Sequence, residues 1–182
     1  MNKAGAIAAL IAAMSTSTSA ATLDIEAPGG HYHDCELVQL GKSGSLSGRM
    51  TLSRVAGTRE WASALAILIL GPTKVENVFR LTTSTSSEMD TLHVRHELFH
   101  GNRRARVKDY PDVTTESAVP FSMNWTADGR ITLSAGGSEE ERLDLGFSPE
   151  RAFLLVSGGR GEFDFEGSPD IDCNRSIDDN AP

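Results

Sequence analysis

Residues His96-Glu97-Leu98-Phe99-His100 spell H-E-x-x-H. On a helix, histidines four positions apart lie one turn apart on one face. They can then share a zinc ion while the glutamate polarises the bound water as general base. That chemistry would be a zinc peptidase with His96 and His100 as ligands and Glu97 as the catalytic base, and it requires the segment to be helical. Ser86 or Ser87 could cap such a helix, Glu88 and Asp90 would suit its first turn, and Gly101 could end it. The third ligand is missing: no H-x-x-G-x-x-H extension follows, and Glu116, the next unassigned acid, stands among Thr and Ser.

A strand accounts for the same residues better. Leu92, Val94, His96 and Leu98 alternate with His93, Arg95, Glu97 and Phe99, and Gly101-Asn102 is a two-residue hairpin signal. Folding back there predicts Leu98 opposite Ala105, His96 opposite Val107, Glu97 opposite Arg106 and Phe99 opposite Arg104, with one misfit, Arg95 opposite Lys108. A strand also holds His96 and His100 about 13 Å apart, too far to share one zinc. Arg104, Arg106 and Lys108 then all point outward, near Arg95 and His93. Such a basic stripe on an acidic protein suits an anionic ligand, an acidic glycan or a lipid head group, although a solvated face neutralised by Glu97 is the simpler account.

Other residues invite chemistry less strongly. Tyr32, Trp61 and Tyr110 could stack on sugar rings, and Asp109 and Asp112 flank a turn that could touch calcium. Glu139-Glu140-Glu141 reads as a solvated loop, and Trp125, in alternation with Phe121 and Met123, as core. G-x-S-x-G, a P-loop and a dinucleotide fingerprint are all absent.

The elements that must position these residues are short and alternate with period two. Leu23–Glu26 and Cys35–Leu40 are strand candidates, then a Gly/Ser loop over Gly41–Gly48, then Arg49–Val55. Trp61–Leu70 is apolar throughout and stops at Gly71-Pro72, which favours a central strand over a helix. Val75–Leu81 follows, with Thr82–Ser87 as a polar loop. Phe121–Trp125 and Ile131–Ala135 flank Ala127-Asp128-Gly129. Only a three-residue loop with Gly129 in the left-handed conformation opposes Trp125 to Ile131 and Met123 to Leu133, making one face wholly apolar. Leu143–Leu145, Ala152–Val156 and Gly161–Phe165 complete the set.

Of the 182 residues, 39% are hydrophobic and 23% charged, which suits one domain with a sizeable core and excludes a disordered chain. A net charge of -8 argues against a sequence-independent nucleic-acid binder, which needs excess Lys and Arg to displace counterions from phosphate. Lys3, the apolar Ala4–Met14 and Thr18-Ser19-Ala20 occur in the order of a secretory leader, so residues 1–20 are expected to be removed. No later run approaches the ~18 apolar residues of a membrane span. In an oxidising compartment Cys35 and Cys173 are expected to form a disulfide that brings the first and last strands together. Residues 21–175 then form a single domain, and 176–182 a frayed acidic tail.

Phe121-Ser-Met-Asn-Trp-Thr-Ala-Asp-Gly-Arg-Ile-Thr-Leu-Ser-Ala-Gly-Gly137 resembles the late hairpin of laminin-G and concanavalin A-like jelly rolls, and Leu143, Phe153–Gly159 and Phe163–Phe165 resemble that family's closing strands. The resemblance covers the last third of the chain and implies an all-β, two-sheet antiparallel sandwich of jelly-roll type. It carries no ligand, because fold does not fix function. The acid-x-acid-x-x-acid strand that glycanases of this fold use is absent, which lowers a hydrolase assignment. The expectation is a secreted or periplasmic, non-catalytic binding or structural module, without cofactor, whose partner is a glycan or another extracytoplasmic protein. A small zinc peptidase is the alternative, and bound calcium the lesser one.

Overall fold

Period-two patterning becomes twelve β-strands in a computed structural model that describes residues 20–56, 62–72, 77–85, 90–101 and 103–177. Trp61, Asn102, all of the expected leader except Ala20, and residues 178–182 lie outside the described residues. In chain order the strands are β1 (Ala21–Leu37), β2 (Gly44–Val55), β3 (Ser63–Leu70), β4 (Asn77–Thr85), β5 (Thr91–His100), β6 (Arg103–Asp109), β7 (Val113–Thr114), β8 (Val119–Trp125), β9 (Arg130–Ala135), β10 (Glu141–Asp144), β11 (Arg151–Phe165) and β12 (Ile171–Asp172). Every pairing is antiparallel.

The pairing path runs β10-β9-β8-β2-β11-β3-β4-β5-β6. It doubles back at β11. The second half of β11, Gly159–Phe165, pairs with β2, and its first half, Arg151–Ser157, pairs with β3. Strand β1 follows β11 along both halves. The chain is therefore an antiparallel β-sandwich. Sheet I is β10-β9-β8-β2 with one half of the β1–β11 ribbon, and sheet II is β6-β5-β4-β3 with the other half. Alternation turns one face of each sheet inward. Phe121, Met123, Trp125, Ile131, Leu133 and Phe163 from sheet I meet Leu65, Ile67, Ile69, Phe79, Leu81 and Val156 from sheet II in one buried cluster. Burying each such side chain contributes roughly 1.5–3 kcal/mol.

Several expectations hold. Cys35 and Cys173 are bonded, and β12 pairs with β1 through Glu36–Asp172 and Leu37–Ile171, so the ends of the domain are neighbours. Residues 63–70 are a central strand. Trp125 pairs with Ile131 and Met123 with Leu133. Other expectations are corrected. Leu23–Glu26 and Cys35–Leu37 belong to one long strand, because the Pro28–His31 excursion bulges opposite Gly158 without breaking the pairing, and Val38, Gln39 and Leu40 lie past its end. Thr82–Thr85 continue β4 instead of forming a loop, since Thr83 and Thr85 point inward and are buried. Strand β2 begins at Gly44, inside the expected Gly/Ser loop. Ser176 and Ile177 are anchored by Asp34 and are no part of a frayed tail.

Gly129 has φ +85, and an added Cβ would run into the carbonyl oxygen of Phe147. Gly129→Val should therefore cost more than the roughly 1 kcal/mol of an ordinary point substitution, because it adds backbone strain to a clash with main chain. A urea midpoint indistinguishable from that of the parent would contradict the register of the β8–β9 hairpin.

Candidate functional site

Cross-strand partners share a face, so the pairing gives the outer face of sheet II row by row. One row runs Arg151, Leu70, Val78, Phe99, Arg104. The next runs Phe153, Leu68, Arg80, Glu97, Val107, and a third Leu155, Ala66, Thr82, Arg95, Asp109. Strand β3 is apolar on both faces. Its outward residues Ala66, Leu68 and Leu70 form a second cluster with Phe153, packed by Val78, Leu155 and Ile177. Above them lies a groove of about 590 Å³, bordered by Arg80 and Phe99 on one side and by Leu155 and Ile177 on the other. That size is in the range of small-ligand sites.

Both walls are held by buried carboxylates. On the β1 side, Ser176 Oγ donates to Asp34 Oδ1 (3.2 Å) and the Ile177 amide to Asp34 Oδ2 (2.6 Å). Glu36 accepts from Arg151 at 3.0 Å and from Arg175 at 3.5 Å. The hydrogen bond from Arg151 is the main reason the Glu36 carboxyl titrates below its ordinary range. On the β5 side, Glu97 is only 2% exposed; its Oε2 accepts from Arg80 (2.5 Å), and its Oε1 forms an ion pair with Arg104 (3.1 Å). Both guanidinium groups face the ring of Phe99, at 5.0 and 5.9 Å from its centroid. One carboxylate thus fixes two arginines whose side chains are 41% and 52% exposed.

The zinc-peptidase reading does not survive this geometry. Residues 91–100 are strand β5, and successive strand residues point to opposite faces. Glu97 is on the outer face, whereas His96 lies in the inner row Leu154, Ile67, Leu81, His96, Lys108. A general base on one side of a sheet cannot serve a metal on the other. His100, at the strand end, contacts Asn77 Oδ1 through Nδ1 (3.1 Å) and sits edge-on to Phe147. No group of three or more His, Cys, Asp or Glu able to hold a metal occurs among the described residues.

His96 takes part in a buried polar cluster instead. It is 0% exposed, and its Nδ1 lies 2.9 Å from the Tyr110 hydroxyl. With the proton on Nε2, Nδ1 accepts from Tyr110, and Nε2 lies 3.4 Å from Glu141 Oε1 without a hydrogen bond between them. Glu141 accepts through Oε2 from Lys108, and so links the β10 edge of sheet I to the β6 edge of sheet II. Burial pushes the Tyr110 hydroxyl above its usual range. Burial likewise lowers the His96 pKa, with Arg106 and Lys108 acting the same way and Glu141 and Glu97 opposing.

The basic stripe is divided. A bulge at Ala105, between Phe99–Arg104 and Leu98–Arg106, shifts the register by one residue. Arg104 stays on the outer face, while Arg106 and Lys108 turn to the side of His96. Glu97 therefore pairs with Arg80 and Arg104 and not with Arg106. Arg95 meets Asp109 at 3.0 Å, which removes the expected clash with Lys108. Tyr110, 5% exposed, is core and offers no stacking surface. Asp109 is taken by Arg95, and Asp112 accepts from His93 at 2.9 Å, so neither stands ready as part of a calcium cage. Glu141 is in a strand, not a solvated loop. Trp61 lies outside the described residues. Arg80, Glu36, Asp34 and the outer column of β3 escaped the sequence reading. The available signal was that Ser63–Leu70 is apolar at consecutive positions, which implies cover on both faces.

No family model matches the sequence, and no curated protein does. Solved structures do resemble it. A PL7 alginate lyase from Zobellia galactanivorans is 10% identical over 76% of this chain, with a TM-score of 0.48, and the chain spans 61% of that protein's length. The carbohydrate-binding module CBM66 from Bacillus subtilis is 10% identical, covering 85% of this chain and 91% of its own, with a TM-score of 0.46. Chicken galectin 2 is 10% identical over 77% and 98% respectively, with a TM-score of 0.46.

A histidine whose pKa is lowered by folding binds its proton more readily in the unfolded chain. Its contribution to stability is complete above the unfolded value near 6.5 and declines as pH falls through it toward the folded value. The melting temperature should thus drop between pH 7 and pH 5. Each kcal/mol lost corresponds to about 2–4 °C for a chain of this size. His96→Gln should flatten that slope. The carboxylates held low by arginine, Asp24, Glu36 and Asp128, act below this window. An equal slope in the variant would show that His96 does not carry it.

Proposed function

We propose that this protein is a secreted, non-catalytic binding module, and that its ligand is a carbohydrate with negative charge held across the outer face of sheet II. The observation that carries this reading is the pair of guanidinium groups, Arg80 and Arg104, clamped by one buried carboxylate beside an open groove. A guanidinium has five N–H donors in a rigid fork, and bonding to Glu97 leaves several of them pointing to solvent. Fixed in advance, they lose little freedom when they meet the oxygens of a uronate or sulfate group. The trio Arg80, Glu97 and Arg104 has a net charge of +1 on a chain whose net charge is -8, so an anion is drawn to this place and repelled from most others. The disulfide fits an oxidising compartment, and no helix among the described residues is long and apolar enough to cross a membrane.

Titration calorimetry with neutral and uronate oligosaccharides tests the reading. Uronate oligomers should bind in the micromolar to millimolar range and weaken as salt is raised. Arg80→Gln should reduce that binding at least tenfold while the melting temperature confirms the fold. Neutral and acidic oligomers binding alike, or full affinity in Arg80→Gln, would overturn it.

A further inference from the structure

We propose that the ligand is an anionic amphiphile, with its charged saccharide head at Arg80 and an aliphatic chain laid along the outer column of β3. This rests on the reading of the Arg80 face as a site for an acidic carbohydrate and adds the chain to it. Ala64, Ala66, Leu68 and Leu70 occupy alternate positions of one strand, so the floor is a narrow apolar strip about 20 Å long. Val78 on one side and Leu155 on the other continue it. Among the described residues that line the groove, Arg80 is the one that carries charge, and it stands beside Leu68, midway along the strip.

Three features favour a chain over other occupants. The floor has no aromatic platform, since Phe99 is at the margin with its ring already faced by Arg80 and Arg104. Sugar hydroxyls pressed on Leu68 and Leu70 would lose their water without gaining partners, which disfavours a purely saccharide ligand there. A protein partner needs about 800 Å² on each side, whereas this cleft of about 590 Å³ is confined between two walls. A methylene chain needs no hydrogen bonds, and each buried methylene is worth roughly a fourfold gain in affinity.

Methyl, octyl and dodecyl β-D-glucuronides, titrated calorimetrically below their micellar concentrations beside dodecanoate, separate the parts of the proposal. Affinity should rise at least tenfold from methyl to octyl and again toward dodecyl, with dodecanoate weaker than dodecyl glucuronide. Ala64→Trp, which fills the strip from a half-buried position, should abolish the dependence on chain length while methyl glucuronide binds as before. Thr82→Trp provides a second obstruction should the first lower the melting temperature. Equal affinities for methyl and dodecyl glucuronide would overturn the chain proposal and leave the acidic-carbohydrate reading intact. Dodecanoate binding as tightly as dodecyl glucuronide would overturn the saccharide head and with it that earlier reading. Dodecyl glucuronide binding at full strength in both tryptophan variants would overturn the assignment to this groove.

Discussion

Both sheets hang on one ribbon. Strands β1 and β11 pair from Ala21–Phe165 to Glu36–Phe153, and along that length β11 exchanges its other neighbour from β2 to β3. The change occurs where Gly158 takes φ +54 and the carbonyl of Gly158 accepts from the amide of Ala56 and the hydroxyl of Ser63. A residue with a Cβ resists that backbone conformation. Without the bend, β2 and β3 would lie end to end in one flat sheet and neither apolar face would be covered. With it, the faces that carry Phe163 and Val156 close on each other, and the disulfide ties the β1 end of the ribbon to the C-terminal segment that walls the groove.

The wall follows from the ribbon in a second way. Carrying β1 past the bend puts Asp34 and Glu36 on the outer face of sheet II, in register with Leu155 and Phe153. Those two carboxylates are buried only because the segment from Cys173 to Ile177 and the side chain of Arg151 satisfy them. On the opposite margin Glu97 organises Arg80 and Arg104 in the same manner. The apolar strip between them is thus bounded by buried acids, each paired with arginine or held by donors of its own, and the charge that remains available beside the strip is that of arginine.

The parts of this arrangement that were legible in the sequence are the ones set by period two and by turn chemistry. Phe121, Met123 and Trp125 could face Ile131 and Leu133 only with a left-handed Gly129, and they do. Strand β3 was legible from an unbroken apolar run stopped at Gly71-Pro72, and the disulfide from a single pair of cysteines behind a secretory-type leader. The face of a residue beyond a bulge was not. Ala105 has nothing in its chemistry to mark it as an extra residue, yet its insertion sends Arg106 and Lys108 to the opposite side from Arg104. The misfit between Arg95 and Lys108 was the one trace of it available beforehand. A like-charge opposition in an otherwise consistent hairpin is itself a sign that the register slips by one, and the slip replaces Lys108 by Asp109.

The same parity decides what H-E-x-x-H can mean. Its spacing is chemically suggestive only because a helix returns to the same face after about four residues, bringing both histidines and the glutamate within reach of one ion. In a strand the first histidine and the glutamate belong to different solvents. His96 is sealed against Leu81 and Phe79 and titrates with the core. Glu97, one residue on, faces outward and anchors two arginines. Neither could take over the other's role without a register change that would also bury Arg95 and expose Val94 and Leu98. The motif is therefore divided by the sheet into a structural half and a binding half. The binding half, which faces the groove, is the glutamate that fixes Arg80 beside Leu68.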